Sequence, residues 1–241
     1  MGLFDFLTGG SPEKQIKKYG KKIKDKDTPI EDRQAAAIWL ADNGSPEAIV
    51  ALLGRFDMDY EHGMKDASEK DEVSNLVLGL GQRSIEPLEA KLRRTLKFAR
   101  PLALYEQIAG QDAAMNIVLE LLDVEYERSE LKPDKKRQLL IKVTEYVDPR
   151  VTASAVRFLD DFDEGCRYAA AEALFAQDET PAVREALVAR LASPDEESNR
   201  VRVRIAEVAT ARRWPLGDHA DALTENPPVG YKVANGVLIA G

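Results

Sequence analysis

Residues 33–56, RQAAAIWLADNGSPEAIVALLGRF, decide how this chain is read. The first half places Ala36, Ala37, Leu40 and Ala41 at helical spacing. Asn43, Gly44 and Ser45 then form a turn, and Pro46 opens a second helix at a position where its missing N–H is not needed. The unit is two short helices set back to back. A second copy, RYAAAEALFAQDETPAVREALVARL, begins at Arg167. Arg167 answers Arg33, Ala169–Ala171 answer Ala35–Ala37, and Pro181 answers Pro46 with one residue inserted. A helix pair that recurs at a distance implies a stacked array, because a single pair cannot bury its own apolar stripe.

Outward from this stretch, the composition is that of a soluble globular chain: 241 residues, 44% hydrophobic and 32% charged, enough to bury a sizeable core. No apolar run approaches the ~20 residues that span a bilayer, and MGLFDFLTGG lacks the basic start and cleavage site of a secretory leader. The expected location is cytoplasmic, with a peripheral position on the inner face of the membrane as the alternative. One cysteine, Cys166, excludes an intramolecular disulfide framework and is expected to be a buried small apolar residue. The net charge of −8 opposes non-specific adhesion to nucleic acid.

Met1 to Gly10 carry Leu3, Phe4, Phe6 and Leu7, and Ser11-Pro12 then starts a helix. Between Glu13 and Lys26 there are seven lysines, Lys17, Lys18, Lys21 and Lys22 among them, against two acids. Ile16, Tyr19 and Ile23 share one face. This segment reads either as a cap over the open end of the first repeat or as a peripheral membrane anchor combining acyl burial with attraction to anionic headgroups. The first repeat pairs the lysine helix with Ile30 to Asp42. The second begins at Pro46, is interrupted by the acid-rich stretch Asp57 to Glu72, and resumes with VSNLVLGLGQ. The third takes SIEPLEAKL and FARPLALYEQIAG, where Pro101 should delay or kink the helix. AAMNIVLELLDVEY and DKKRQLLIKVTEYV make the fourth, DPRVTASAVRFL and CRYAAAEALFA the fifth, TPAVREALVARL and NRVRVRIAEVATARRW the sixth. Beyond Trp214 the period stops; YKV and VLI flank an Asn235-Gly236 turn, a two-stranded hairpin that should lie on the body because it is marginal alone.

The Pro-initiated first helices (SPEAIVALL, DPRVTASAV, TPAVREALV) and the Arg-x-Ala-Ala-Ala second helices (RQAAAIWL, RYAAAEAL) resemble HEAT repeats of the short, Ala-rich bacterial type over residues 14 to 213. The resemblance implies an all-α fold, an α-α superhelix of about six helical pairs with a small C-terminal hairpin. It divides the chain into an N-terminal cap over 1–13, a repeat domain over 14–214 and an extension over 215–241. It also implies a scaffold or adaptor rather than an enzyme, with second helices lining the concave side.

Candidate chemistry is sparse. Asp57, Asp59 and Glu61 alternate as in a calcium loop, but Gly63 falls one place late and Ser68 stands where a bidentate Glu is required. The two histidines, His62 and His219, belong to no ligand motif, and no nucleophile motif occurs. The HEAT-like DNA glycosylases use a basic groove with Trp and Asp; Trp39 lies in a packing helix, whereas Trp214, beside Arg212 and Arg213, could face a groove. Lys135, Lys136, Arg137, Lys142, Arg200, Arg202 and Arg204 fall on second helices and are the candidate partner-binding stripe, although Arg200, Arg202 and Arg204 cannot all share one helical face at spacing two. The expectation is a non-catalytic scaffold without cofactor or metal that binds a protein or peptide. The alternatives are a membrane adaptor using residues 1–26 and, more weakly, a glycosylase-type nucleic-acid enzyme.

Overall fold

The computed structural model describes residues 11–127 and 133–241, and folds them into α-helices with one small antiparallel hairpin at the C-terminus. Leu3, Phe4, Phe6 and Leu7 lie outside the described residues. The chain divides into two units, Met1–Ile117 and Val118–Gly241.

In the first unit, α1 (Pro12–Lys22) pairs with α2 (Ile30–Asn43). Next come α3 (Pro46–Leu53), a 3-10 turn (Gly54–Asp57) and α4 (Gly63–Leu80). A second 3-10 turn leads to α5 (Ile85–Arg94) and α6 (Ala99–Ala109), and the unit boundary falls within α7 (Gln111–Tyr126). The turn read from Asn43 to Ser45 works as expected. Gly44 closes α2 at φ 61°, donating its N–H to the Leu40 carbonyl, and the Ser45 hydroxyl accepts from Ala48 N at 3.2 Å to open α3. Ser11, by contrast, makes no side-chain cap. Pro101 sits in the first turn of α6, which starts at Ala99, two residues ahead of it. The core is aliphatic: Leu40, Ile49, Leu52, Leu53, Val77, Leu88 and Leu92 are fully buried, each contributing about 1.5–3 kcal/mol.

The acid-rich stretch is not an interruption. α4 starts at Gly63, well before Val73, and takes in most of it. The inward positions of α4 are Asp66, Glu69, Val73, Val77 and Leu80, a helical series whose first two members are acids. Apolar periodicity cannot register such a helix; its inner face there is completed by cations from other elements.

The second unit continues with α8 (Asp134–Val143), α9 (Pro149–Arg157) with a 3-10 turn to Asp160, α10 (Glu164–Phe175), α11 (Pro181–Ala192) and α12 (Asn199–Ala211). Asp148, Asp163, Thr180 and Ser198 cap α9, α10, α11 and α12 with their side chains. A 3-10 turn (Gly217–His219) and α13 (Ala220–Glu225) then precede β1 (Tyr231–Ala234) and β2 (Val237–Ala240). Ala234 pairs with Val237 about a turn in which Asn235 and Gly236 have φ of 52° and 74°, the primed geometry that matches strand twist. Leu238 is buried, β2 packs on α12, and Leu216 N–H donates to the Gly236 carbonyl at 2.9 Å, so the hairpin lies on the body.

Candidate docking cleft and the arginine braces

Arg33 sits in the first turn of α2, where a cation opposes the helix dipole and needs an acid nearby. It finds Glu69 of α4: Nε donates at 2.9 Å to one carboxylate oxygen and Nη2 to the other, a fork-to-fork pair, both residues under a tenth exposed. Its Nη1 reaches back to the carbonyls of Lys26 and Thr28, in the loop that leads into its own helix. Arg55, 1% exposed, completes the cluster. Its guanidinium donates to Asp66 Oδ1 at 2.5 Å and the Met58 carbonyl at 3.0 Å, with Nε 3.5 Å from Glu69. The Tyr60 ring lies against both guanidinium groups, 4.7 Å from Arg33 and 4.1 Å from Arg55, and its hydroxyl donates to the Ile23 carbonyl.

The same device recurs in the second unit. Arg167, in the first turn of α10, forks onto Glu196 with two bonds of 2.8 Å and turns Nη1 to the carbonyls of Asp161 and Phe162, again the loop before its own helix. Arg190 of α11 plays the part of Arg55, donating to Glu196 at 2.8 Å and Asp160 at 2.9 Å. Burial alone would raise the Glu196 carboxyl, but the Arg167 bonds, the Ser198 amide and the two cations outweigh it and hold the group below its ordinary value. The hydrogen bond to Glu69 raises Arg33, and that to Glu196 raises Arg167. For Asp66 burial is the largest effect and works upward, yet the Lys70 and Arg55 bonds leave it lowered.

Two clefts share Arg33 and Glu69 as a common wall. The first, about 500 Å³, lies between α2 and α4; Ile23, Ala37, Ile38, Val73 and Leu76 give it an apolar lining, and Gln34, Glu72 and Asn75 stand at the rim. Gln34 donates to Glu72 across it at 2.8 Å, and Ile38 is 52% exposed. Its size and its apolar wall with few polar groups suit an organic side chain rather than an ion. The second cleft, about 490 Å³, is polar and includes Lys26, Asp59, Glu61, His62 and Lys65.

The candidate basic stripe is distributed rather than assembled. Lys135 is buried 3.6 Å from Glu125, and Lys136 is buried on Asp161 at 2.7 Å. Arg137 reaches Asp134 at 3.0 Å and Asp163 at 3.4 Å, and Lys142 reaches Glu145 at 2.6 Å. Arg200 stacks on Tyr168 and lies 3.7 Å from Glu164, while Arg204 bonds Glu172 at 2.5 Å and Glu207 at 2.9 Å. Arg202, two residues from each, turns the other way into a buried contact with Asn226. Among the membrane candidates, Lys17, Lys18 and Lys21 are exposed and Lys22 is 3.5 Å from Asp32.

Asp57 and Asp59 are held by lysines, Asp57 by Lys91 and Asp59 by Lys70 and Lys97, which carry the Asp59 carboxyl down to about 2. The later calcium-loop positions are already helix. Among the described residues no group of three or more His, Cys, Asp or Glu could hold a metal ion. His62 and His219 fall in different units, and His219 meets Glu185 at 2.7 Å. Trp39 packs on Tyr19 with ring centroids 4.5 Å apart, and Trp214 is 1% exposed near Phe175, so it faces no groove. Cys166 is buried, and burial pushes its thiol far up. Arg55, Tyr60, Glu69, Arg190 and Glu196 were not identified from sequence. The one signal for them is that Arg55 follows Arg33, and Arg190 follows Arg167, at nearly the same interval, offset by the inserted residue that separates Pro181 from Pro46.

The fold and these braces define an all-α protein of braced helical pairs with a C-terminal hairpin. No family model matches the chain, and no curated protein matches it. Among the described residues no helix is long and apolar enough to cross a membrane.

Proposed function

We propose that the protein is a non-catalytic scaffold of the HEAT-like class, and that it docks a protein or peptide partner in the cleft between α2 and α4. One observation carries this reading: an open apolar cleft of about 500 Å³ whose walls are pinned by the buried Arg33–Glu69–Arg55 cluster. A wall fixed in advance lowers the ordering cost of binding, and an apolar lining with a polar rim suits one or two large side chains of a peptide.

A random displayed-peptide library panned on the whole protein tests this. Peptides bearing an apolar or aromatic anchor should be enriched, and Ile38→Glu, a change at a half-exposed cleft residue, should weaken them by about tenfold or more, the effect of removing one anchor contact. Failure to enrich any peptide, or equal binding by Ile38→Glu, would dispose of the docking site.

A further inference from the structure

We infer that the face of the first unit formed by α1, α3 and α5 binds the surface of an anionic lipid bilayer. This inference is independent of the cleft between α2 and α4. Its basis is where positive charge is left without an acidic partner among the described residues. Elsewhere in the unit, acids take up most of the cations: Arg33, Arg55, Lys70, Lys91, Lys97 and Arg100 all make ion pairs. In and just after α1 the pattern reverses. Lys14, Lys17, Lys18, Lys21, Lys24 and Lys26 are exposed and make no ion pair among the described residues, whereas Lys22 approaches Asp32 at 3.5 Å.

The geometry of α1 directs these charges outward. Lys14, Lys17, Lys18 and Lys21 recur at helical spacing on one face. The opposite face is fixed to the body: Ile23 is 1% exposed, Tyr19 packs on Trp39, and Gly20 lies so close to α3 that an added Cβ would sit 3.0 Å from the Ala51 methyl. The cap and anchor readings of this segment are therefore compatible, since the apolar side of α1 covers α2 and α3 while its lysines face solvent. A lysine near an anionic membrane contributes about 1 kcal/mol, and only within about a Debye length, ~8–10 Å. Charges confined to one rigid face act together on a planar surface.

A second feature lies on the same face. Between α3 and α5 a cleft of about 290 Å³ has Val50, Leu53, Pro87 and Ala90 as its apolar part and Lys24, Lys91 and Arg94 as its cations. The stem of Lys24 lies over Gly54, and among the described residues Lys91 pairs with Asp57 while Lys24 and Arg94 make no ion pair. Cations above an apolar floor match a phosphodiester headgroup with its glycerol backbone, and Val50, 53% exposed, adds apolar surface at the membrane boundary. The chemistry favours lipid over nucleic acid for two reasons: the chain as a whole carries −8, and the segment directly before α1 holds Leu3, Phe4, Phe6 and Leu7.

Flotation of the full-length protein with vesicles of phosphatidylcholine, alone or mixed with phosphatidylglycerol, tests the inference. Binding should require phosphatidylglycerol and fade with added salt. The triple variant Lys17→Gln/Lys18→Gln/Lys21→Gln alters exposed residues only, so circular dichroism should show it folded, and it should partition roughly 100-fold more weakly. Lys24→Gln/Arg94→Gln should weaken binding by roughly tenfold or more, while Arg137→Gln/Arg200→Gln should leave it unchanged. The inference fails if phosphatidylglycerol vesicles do not retain the protein, if the folded triple variant binds as well as the parent, or if duplex DNA retains the protein under conditions in which the vesicles do not.

Discussion

Glu196→Gln should be among the most damaging single-atom changes in the second unit. The Glu196 side chain is fully buried and accepts four hydrogen bonds: Oε1 takes Arg167 Nη2 and Ser198 N, and Oε2 takes Arg167 Nε and Arg190 Nε. Replacing either oxygen by an amide nitrogen turns two acceptor contacts into donor-against-donor contacts, whichever way the amide sits. At about 1.5–3 kcal/mol for each hydrogen bond to a charged group, the loss is about 3–6 kcal/mol. It agrees with the about 3–5 kcal/mol expected when one partner of a buried ion pair is removed. Arg167, with its side chain 11% exposed, would lose its buried counter-charge, and Arg190, 7% exposed, would keep only the exposed Asp160. Urea unfolding followed through Trp214, in a Trp39→Phe background so that fluorescence reports the second unit, measures the effect. With a denaturant slope of about 2 kcal/mol per molar, the midpoint should fall by roughly 2 M. Arg157→Ala is the control, because the Arg157–Asp123 pair is 39% and 64% exposed and should contribute about 0–1 kcal/mol. A Glu196→Gln midpoint within about 0.5 M of that control would refute the brace as a structural element.

The acid limb of the stability curve should depend on the same carboxylate. Its folded value lies below the ordinary 4.5, so its contribution is complete above that pH and is lost as pH falls through the lower folded value; Glu196→Gln should flatten the limb, read as urea midpoint against pH. Gly20→Val should push α1 off α3, since even one carbon there meets Ala51 at 3.0 Å, and lower stability by about 1–3 kcal/mol in thermal unfolding. Thr180→Ala removes the hydroxyl that accepts from Val183 N and should cost about 1 kcal/mol in the same assay. Cys166, buried and with its thiol pushed up, should react with an aromatic disulfide reagent only as fast as the second unit opens, and a rapid native-state reaction would show that the site is open.

The sequence by itself determined the helical pairs and their punctuation. Ser45-Pro46, Asp148-Pro149 and Thr180-Pro181 start helices because a side-chain acceptor and a residue lacking an N–H suit a helix N-terminus, and both are local properties. The hairpin about Asn235-Gly236 was legible for the same reason, as positive φ at two successive positions narrows the choice of residue. Only the tertiary structure decided α4, whose inward acids Asp66 and Glu69 belong to a core only once Arg33, Arg55 and Lys70 reach them from elsewhere in the chain or along the same helix. It also decided the candidate sites. The stripe from Lys135 to Arg204 and the lysines of α1 look alike as sequence, yet the first group meets acids or carbonyls and, Lys22 apart, the second faces water. A charge in a sequence has a sign but no neighbours; whether it acts as a brace or as a binding surface depends on which opposite charges the fold brings within a few ångströms.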